Sequence, residues 1–333
     1  MIRVMKSIPY GQKGALIFAP MEGVTDEPYR LAMSRLYPEW DYYSTDFYRV
    51  PTVGNISVKT LREHFGESVF KKNEIRKKTT YQILTTARAQ TEDVVRAINE
   101  LDVDHLDLNL GCPSKKVNAH RGGAYLLSDL DELRRIIRII RQNFDRTFTV
   151  KIRIGYRDDS NFVDRLKLFE DEGVEAITLH ARTRDQLYQG IADWSYIKEA
   201  VKNVSIPVIG NGDVWNVHDV VRMFEECGCH AIMIGRGALK TPWLATLYKE
   251  FSKNLDFISD EYLLSIRTEH LQLYFHELEK EYRKVELSDG HILKRFKSFS
   301  RYLFDDYQDG EKVRGNFLRS ENLSQFKYFL DTL

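Results

Sequence analysis

The sequence predicts a (β/α)8 TIM barrel followed by a C-terminal all-helical domain. Eight short apolar runs recur along the first three quarters of the chain, two ending in Asn or Gly and two more followed directly by Gly. Amphipathic helical patterns fall between them, and from about Ser259 only helical periodicity remains. Eight such units in about 235 residues match the size of a barrel. A doubly wound open sheet is the alternative architecture.

The predicted strands are Ala15–Met21, Tyr42–Phe47, Thr80–Leu84, His105–Leu110, Phe148–Ile154, Ala176–His180, Pro207–Asn211 and Ala231–Gly235. Runs such as TVKIRI, PVIGN and AIMIG are nearly all apolar or β-branched, as parallel strands covered on both faces require. The predicted helices are Asp26–Leu36, Thr91–Glu100, Asp129–Asn143, Asn161–Glu172, Trp194–Lys202, Val217–Cys227 and Trp243–Phe251. Leu130, Leu133, Ile136, Ile137 and Ile140 form one face of the third. Thr91 is expected to cap the second, with acidic residues in its first turn. Glu261–Val285, His291–Tyr307 and Asn322–Leu333 read as three tail helices, separated by the turn signals Ser288-Asp289-Gly290 and Gln308-Asp309-Gly310. The expected division is 1–258 for the barrel and 259–333 for the helical domain.

The 333 residues are 43% hydrophobic and 29% charged, which excludes a disordered or collagenous chain. Lys+Arg and Asp+Glu number 49 each, so the formal net charge is zero and a polyanion would have to be held by local basic patches. Cys112, Cys227 and Cys229 are too few, and odd in number, for a disulfide framework. The C-x-C pair has no second pair to complete a zinc site, so no metal is expected. No apolar run approaches the roughly 18 residues of a membrane span, and MIRVMKSIPYGQKG has no secretory core with a cleavage site. A cytoplasmic protein without membrane contact is expected.

In such a barrel the active site lies where strands end, and chemistry-bearing residues cluster there. Gly210-Asn211-Gly212-Asp213 and Gly235-Arg236-Gly237 end strands seven and eight, where barrels often hold phosphate. Glycines let backbone N–H groups approach an anion; the plain alternative is tight turns. Trp215 and Lys240 stand where a G-x-G-x-x-G dinucleotide fingerprint needs glycines. Lys151, inside an apolar strand, needs an anionic partner if it faces inward, or else points outward with Arg153. His180 is either a satisfied core histidine or a ligand contact. Cys112, between Gly111 and Pro113, could act as nucleophile or proton donor. The zinc-deaminase signature is absent, and His276-Glu277 lacks the second histidine of H-E-x-x-H.

Seven segments occur in one order: APMEGVTD (Ala19–Asp26), DLNLGCPSKKV (Asp107–Val117), RGGAYLL (Arg121–Leu127), VKIRIG (Val150–Gly155), LHART (Leu179–Thr183), GNGDV (Gly210–Val214) and IGRGAL (Ile234–Leu239). Together they resemble the tRNA-dihydrouridine synthases. The resemblance runs from about residue 15 to 245; in the tail only the helical layout matches. Dihydroorotate dehydrogenases share the barrel, but the G-C-P loop and the helical tail point away from them. The resemblance implies an FMN enzyme that uses NADPH to reduce the 5,6 double bond of a flipped-out uridine in tRNA. Cys112 would protonate carbon 5 while hydride reaches carbon 6. Pro20, Met21 and Glu22 would line the flavin ring, and Gln82, Lys151 and His180 its polar edge or ribityl chain. Asn211, Gly212, Asp213, Gly235 and Arg236 would hold the phosphate, and Asn109 and Arg182 would meet substrate. The sequence departs from the family where Gln82 is followed by Ile-Leu-Thr-Thr rather than an early glycine.

Basic clusters are the expected RNA contacts: Lys115, Lys116 and Arg121 beside Cys112, and Lys294, Lys297 and Arg301 as one helical stripe with Arg295 beside it. Lys312, Arg314 and Arg319 follow. Lys71, Lys72, Arg76, Lys77 and Lys78 crowd the approach to strand three, as RNA contacts or as plain solvated surface. From Asp260 to Leu333 there are 12 basic against 14 acidic residues, so sidedness and not bulk charge is the expectation. A monomer is expected. The alternative activity is an FMN barrel acting on a free pyrimidine or other small ene, which has no use for the tail; a non-catalytic RNA-binding barrel is a third reading.

Overall fold

Each of the eight apolar runs forms a parallel strand. The computed structural model describes residues 9–255 and 258–333. Most of the N-terminal stretch read for a secretory core lies outside them, as does the chain just before the expected 258/259 boundary. The strands are β1 (Ala15–Phe18), β2 (Tyr42–Ser44), β3 (Tyr48–Arg49), β4 (Thr79–Leu84), β5 (His105–Leu110), β6 (Thr147–Arg153), β7 (Ala176–His180), β8 (Val208–Asn211) and β9 (Ala231–Ile234). β2 pairs with both β1 and β4, and β1 pairs with β9, so the sheet closes into an eight-stranded parallel barrel. The open-sheet alternative is thereby excluded. The second predicted strand ends early, at Ser44, and β3, just past its expected end, is a two-residue addition beside the upper half of β4.

Alternation along the strands sorts the side chains. Leu106, Leu108, Leu110, Val150, Ile152 and Leu179 face outward into the main core beneath the helices. The interior is divided. Ala15, Ile17, Ala19, Ile209, Ala231 and Met233 make a small apolar cluster on one side, closed by Tyr10. Opposite them lie the buried polar side chains Thr80, Gln82, His105, Asp107, Asn109 and Thr149.

The predicted helices form within one or two residues of expectation, from Glu27–Leu36 to Leu244–Phe251. Thr91 is not a cap: Gln90 occupies that position, and the buried Thr91 hydroxyl pairs with Thr85 at 2.6 Å. The polar stretch before β4 folds into three short helices, Val58–Phe65, Glu67–Lys71 and Asn73–Lys77, which bury Leu61, Phe65, Val69 and Ile75. Lys71–Lys78 therefore precede β4 at its amino end, the barrel face opposite the site.

The tail has four helices, not three: Asp260–Lys284, Asp289–Phe299, Gly310–Arg319 and Leu323–Asp331. The expected helix to Tyr307 stops at Phe299. Gly310 begins a helix instead of marking only a turn, because its Cα sits so close to Phe304 that a Cβ would stand 2.3 Å from that carbonyl oxygen. Phe275, Phe296, Phe304, Phe317 and Phe326 fill the centre of the bundle, with ring centroids 4.9–5.8 Å apart along the contact chain. The first tail helix packs on Glu27–Leu36 through Tyr274–Tyr29 at 2.9 Å and Arg35–Glu281 at 2.6 Å.

Candidate active site

Cys112 stands just past β5, and a chain of hydrogen bonds fixes the backbone that holds it. Asn109 Oδ1 accepts from the N–H of Gly111 (3.1 Å) and of Cys112 (2.9 Å). Asn109 Nδ2 donates to Gln82 Oε1 at 2.9 Å, and Gln82 Nε2 donates to Asp107 Oδ2 at 2.7 Å. Thr149 Oγ1 donates to Asp107 Oδ1 at 2.7 Å. An ionised carboxylate can only accept. Asp107 therefore orients the Gln82 amide, which orients Asn109, which presents oxygen to the Cys112 loop. On the far side, Asn118 Nδ2 donates to the carbonyls of Cys112 (2.9 Å) and Ser114 (2.7 Å). Burial pushes the Asp107 carboxyl up to about 6, against its two hydrogen bonds and Lys151.

Burial also raises the Cys112 thiol above its ordinary value, with Glu22 adding to the rise while the Ser114 N–H, Arg49 and Arg153 oppose it. A nucleophile needs a depressed value. This side chain stays a thiol at neutral pH, which suits proton donation.

Across the barrel mouth lies a cavity of about 110 Å³. Pro20, Met21, Lys151, His180, Asn211, Gly212, Asp213, Gly235 and Arg236 line it, nine of the eleven residues expected around a cofactor. Register brings them together: Asn109 is level with Lys151, Arg153 with His180, and His180 with Asn211. Among the described residues Lys151 Nζ hydrogen-bonds only the Asn211 amide oxygen, at 3.4 Å. Burial and neighbouring Arg153 push it down to about 8. Burial and then Arg153, Lys151, Arg182 and Arg236 hold His180 well below its ordinary value, so its ring is neutral. Lys151 and Arg236 stand in this wall against the single carboxylate Asp213, with Arg153 and Arg182 close to His180 behind it, so the wall favours an anion. Gly212 has φ +117°, and a Cβ there would stand 2.9 Å from Ala192 and 3.0 Å from the His180 ring.

Two expected cofactor residues lie elsewhere. Glu22 is exposed and pairs with Arg49 at 3.1 Å. Gln82 is fully buried in the relay below the cavity. The Asp213 carboxylate is also committed: it takes both guanidinium nitrogens of Arg182 (3.0 and 2.6 Å), Arg236 (2.8 Å) and the Ala192 N–H. Through Arg236 it ties the Gly212-Asp213 turn to the Gly235-Arg236 turn. Arg182 is 1% exposed and also donates to the carbonyls of Gln189 and Gly190. Arg182, expected near flavin or substrate, stands here as a buried strut 3.3 Å from the His180 ring. Arg236 lies between the rings of Tyr188 and Trp215, 4.9 Å from each centroid. Arg153 donates to the Gly111 carbonyl at 2.9 Å and to Thr183 and Leu187.

The sequence reading missed Asp107, Asn118, Arg153, Tyr188 and Trp215 as parts of the site. Asp107 had a signal, being an acid two positions before Asn109 in an apolar strand and so on the same inner face.

The dihydrouridine synthase (Dus) family model matches residues 17–325. This chain belongs to the dihydrouridine synthase family. It is 36% identical over 247 residues to the tRNA-dihydrouridine(16) synthase of Shewanella oneidensis, covering 70% of this chain and 75% of that one. It is 30% identical over 334 residues to tRNA-dihydrouridine synthase B of the same organism, covering 98% of each. With tRNA-dihydrouridine synthase B of Vibrio vulnificus it shares 32% over 293 residues, 86% and 88% of the two chains.

In this dihydrouridine synthase family member the expected RNA-facing residues divide. Lys115, Lys116 and Arg121 are exposed around the Cys112 loop. Lys294 and Arg301 are exposed on the tail. Lys297 is not: its ammonium donates to the Ser320 carbonyl at 2.6 Å. Arg295 donates to Asp26 and to the Gly23 carbonyl, joining the tail to the barrel. Of the predicted stripe Lys294 and Arg301 stay exposed, while Lys297 and the adjacent Arg295 are fastening residues. Arg295→Ala should destabilise the protein by about 1–3 kcal/mol, as loss of a partly buried charged hydrogen bond does; thermal unfolding checks this. Cys227 and Cys229 are buried, 4% and 0% exposed. Among the described residues no helix is long and apolar enough to cross a membrane, and no group of three His, Cys, Asp or Glu could hold a metal.

Proposed function

We propose that this protein is a flavin-dependent tRNA-dihydrouridine synthase. It would act as a monomer in the cytoplasm, with residues 1–258 as the FMN-binding catalytic domain and 259–333 as the tRNA-binding domain. The observation that carries the reading is one barrel mouth that holds both the tethered Cys112 loop and a glycine-rich cavity lined by Lys151 and Arg236. The wall fits FMN: Lys151 and Arg236 outnumber Asp213 in it, among the described residues Lys151 hydrogen-bonds only the Asn211 amide, and at Gly212 a Cβ would stand 2.9 Å from Ala192 and 3.0 Å from the His180 ring, so the turn beside the cavity takes only glycine.

FMN, once bound and reduced by NADPH, supplies the hydride for carbon 6 of the uracil. Cys112 Sγ gives its proton to carbon 5, and the thiolate then regains one from solvent. Gly212, Asp213 and Gly235 would hold the FMN phosphate through backbone N–H groups, with Arg236 adding charge. Lys151 and His180 would meet the flavin's polar atoms, and Pro20 and Met21 its ring. Asn109 holds the Cys112 loop and has one amide hydrogen left for the uracil. A stacked uridine must be flipped out at a cost of roughly a few kcal/mol, offset by RNA contacts on the rim and tail.

Incubating the protein with unmodified tRNA and NADPH, then digesting to nucleosides for mass spectrometry, tests the activity. Dihydrouridine is the expected product; reduction of free uridine with tRNA untouched would favour the small-ene reading. Burial and then four cations hold the His180 pKa down; a bound phosphate would offset the cations, so FMN binding should raise it. NMR titration of the ring with and without FMN checks the direction.

A further inference from the structure

A groove of about 840 Å³, far larger than the cofactor cavity, opens on the other side of Cys112. We propose that it is a subsite for the RNA strand flanking the flipped-out uridine; this deepens the functional reading above and rests on it.

The groove shares a wall with the Cys112 loop. Gly122 bridges to Thr86, and Gly123 lies so close to Cys112 that a Cβ on it would stand 3.2 Å from the cysteine Cβ. Arg49 lines the groove and is near enough for its charge to act on the thiol. Arg49, Arg88, His120 and Arg121 form its basic lining above a floor that includes Leu84 and Val117, and no carboxylate lines it. Arg88 and Arg121 are exposed, and among the described residues neither forms an ion pair; Lys115 and Lys116, equally unpaired, stand on the adjoining rim. The only acid engaged is the exposed Glu22, on Arg49.

These cations come from three segments: β3, the loop after β4 and the loop after β5. A distributed positive lining over an apolar floor is what a single strand takes, with phosphates on cations and base faces on apolar surface. A dinucleotide needs donors converging on one diphosphate, and the glycine turns that would supply them lie across the barrel at β8 and β9. Emerging from the groove, the strand would turn its uridine directly over Cys112.

The test uses the full-length holoprotein with Arg88→Glu and Arg121→Glu, singly and together, and Arg88→Lys. The double variant should bind unmodified tRNA about tenfold more weakly, and its slope of log affinity against log salt should shrink by about 1.4, two single-strand phosphate contacts. Arg88→Lys should bind as wild type does. Bound flavin should be reduced by NADPH, without RNA, at an unchanged rate. Unchanged tRNA affinity and slope, in a protein whose wild type forms dihydrouridine, would overturn the subsite and leave the function standing. So would a loss that falls on NADPH, which would make the groove a dinucleotide site, or an Arg88→Lys variant as weak as Arg88→Glu. A wild type that forms no dihydrouridine removes the functional reading itself, and this inference with it.

Discussion

Cys112→Ala should cut dihydrouridine formation by at least about a hundredfold, the low end of what a positioned general acid contributes, while bound flavin is still reduced by NADPH at the wild-type rate. The expectation follows from the separation of tasks. The cavity lining does not include Cys112, and the loop that carries the cysteine is held from its own side by Asn109 and Asn118. Removing Sγ takes away a proton and little else. Rapid-mixing absorbance for the flavin and mass spectrometry for the product separate the two half-reactions. Equal loss in both would mean that Cys112 serves the cofactor site, and full product formation would remove it from the acid role.

Asp107→Asn should lower product formation by roughly tenfold to a hundredfold without touching any reacting group, since misplacement of a reacting group by about 1 Å can cost that much. An asparagine at this position offers either oxygen or NH2 to Gln82, so the direction of the relay is no longer dictated and the Cys112 loop loses its template. The same geometry sets a pH dependence. The Asp107 carboxyl titrates at about 6 in the folded protein, above the ordinary 3.8. Above pH 6 it is ionised and orders the relay; below pH 6 it can donate, and the order of the chain is lost. Product formation should therefore fall as pH drops through 6, and the acid limb should be absent in Asp107→Asn. The stability sign is opposite. A raised folded-state value means that the folded protein binds this proton more tightly than the unfolded one, so this group's contribution favours folding as pH falls from 6 toward 4. Activity lost on acidification while the melting temperature holds or rises would separate relay disorder from unfolding.

Much of this architecture is legible without coordinates, for physical reasons. Parallel strands covered on both faces must be apolar runs, and β4 to β9 were found that way. Gly210–Asp213 and Gly235–Gly237 stand out because glycine pairs at strand ends have few other uses. The parts that were hidden depend on closure of the barrel. Asp107, Gln82 and Asn109 lie on two strands 25 and 27 residues apart in sequence, and nothing local says that they form one relay. Arg182 and Arg236 are alike as arginines after strand ends; packing alone makes the first a buried strut and leaves the second at the cavity. Arg295 and Lys297 lie among exposed cations on a helix, and only the docking of the tail shows them fastening Asp26 and Ser320. The helix Gly310–Arg319 escaped notice because a glycine at its first residue reads as a turn.

The central claim is that one site joins a flavin to a uridine in RNA through the Cys112 thiol. Anaerobic titration of the yellow holoprotein tests it most directly, with NADPH first and unmodified tRNA second. The account predicts that NADPH bleaches the flavin bands and that tRNA restores them, one dihydrouridine appearing per flavin reoxidised. A protein that cannot be reconstituted with FMN, or a reduced flavin that tRNA leaves bleached, would contradict it.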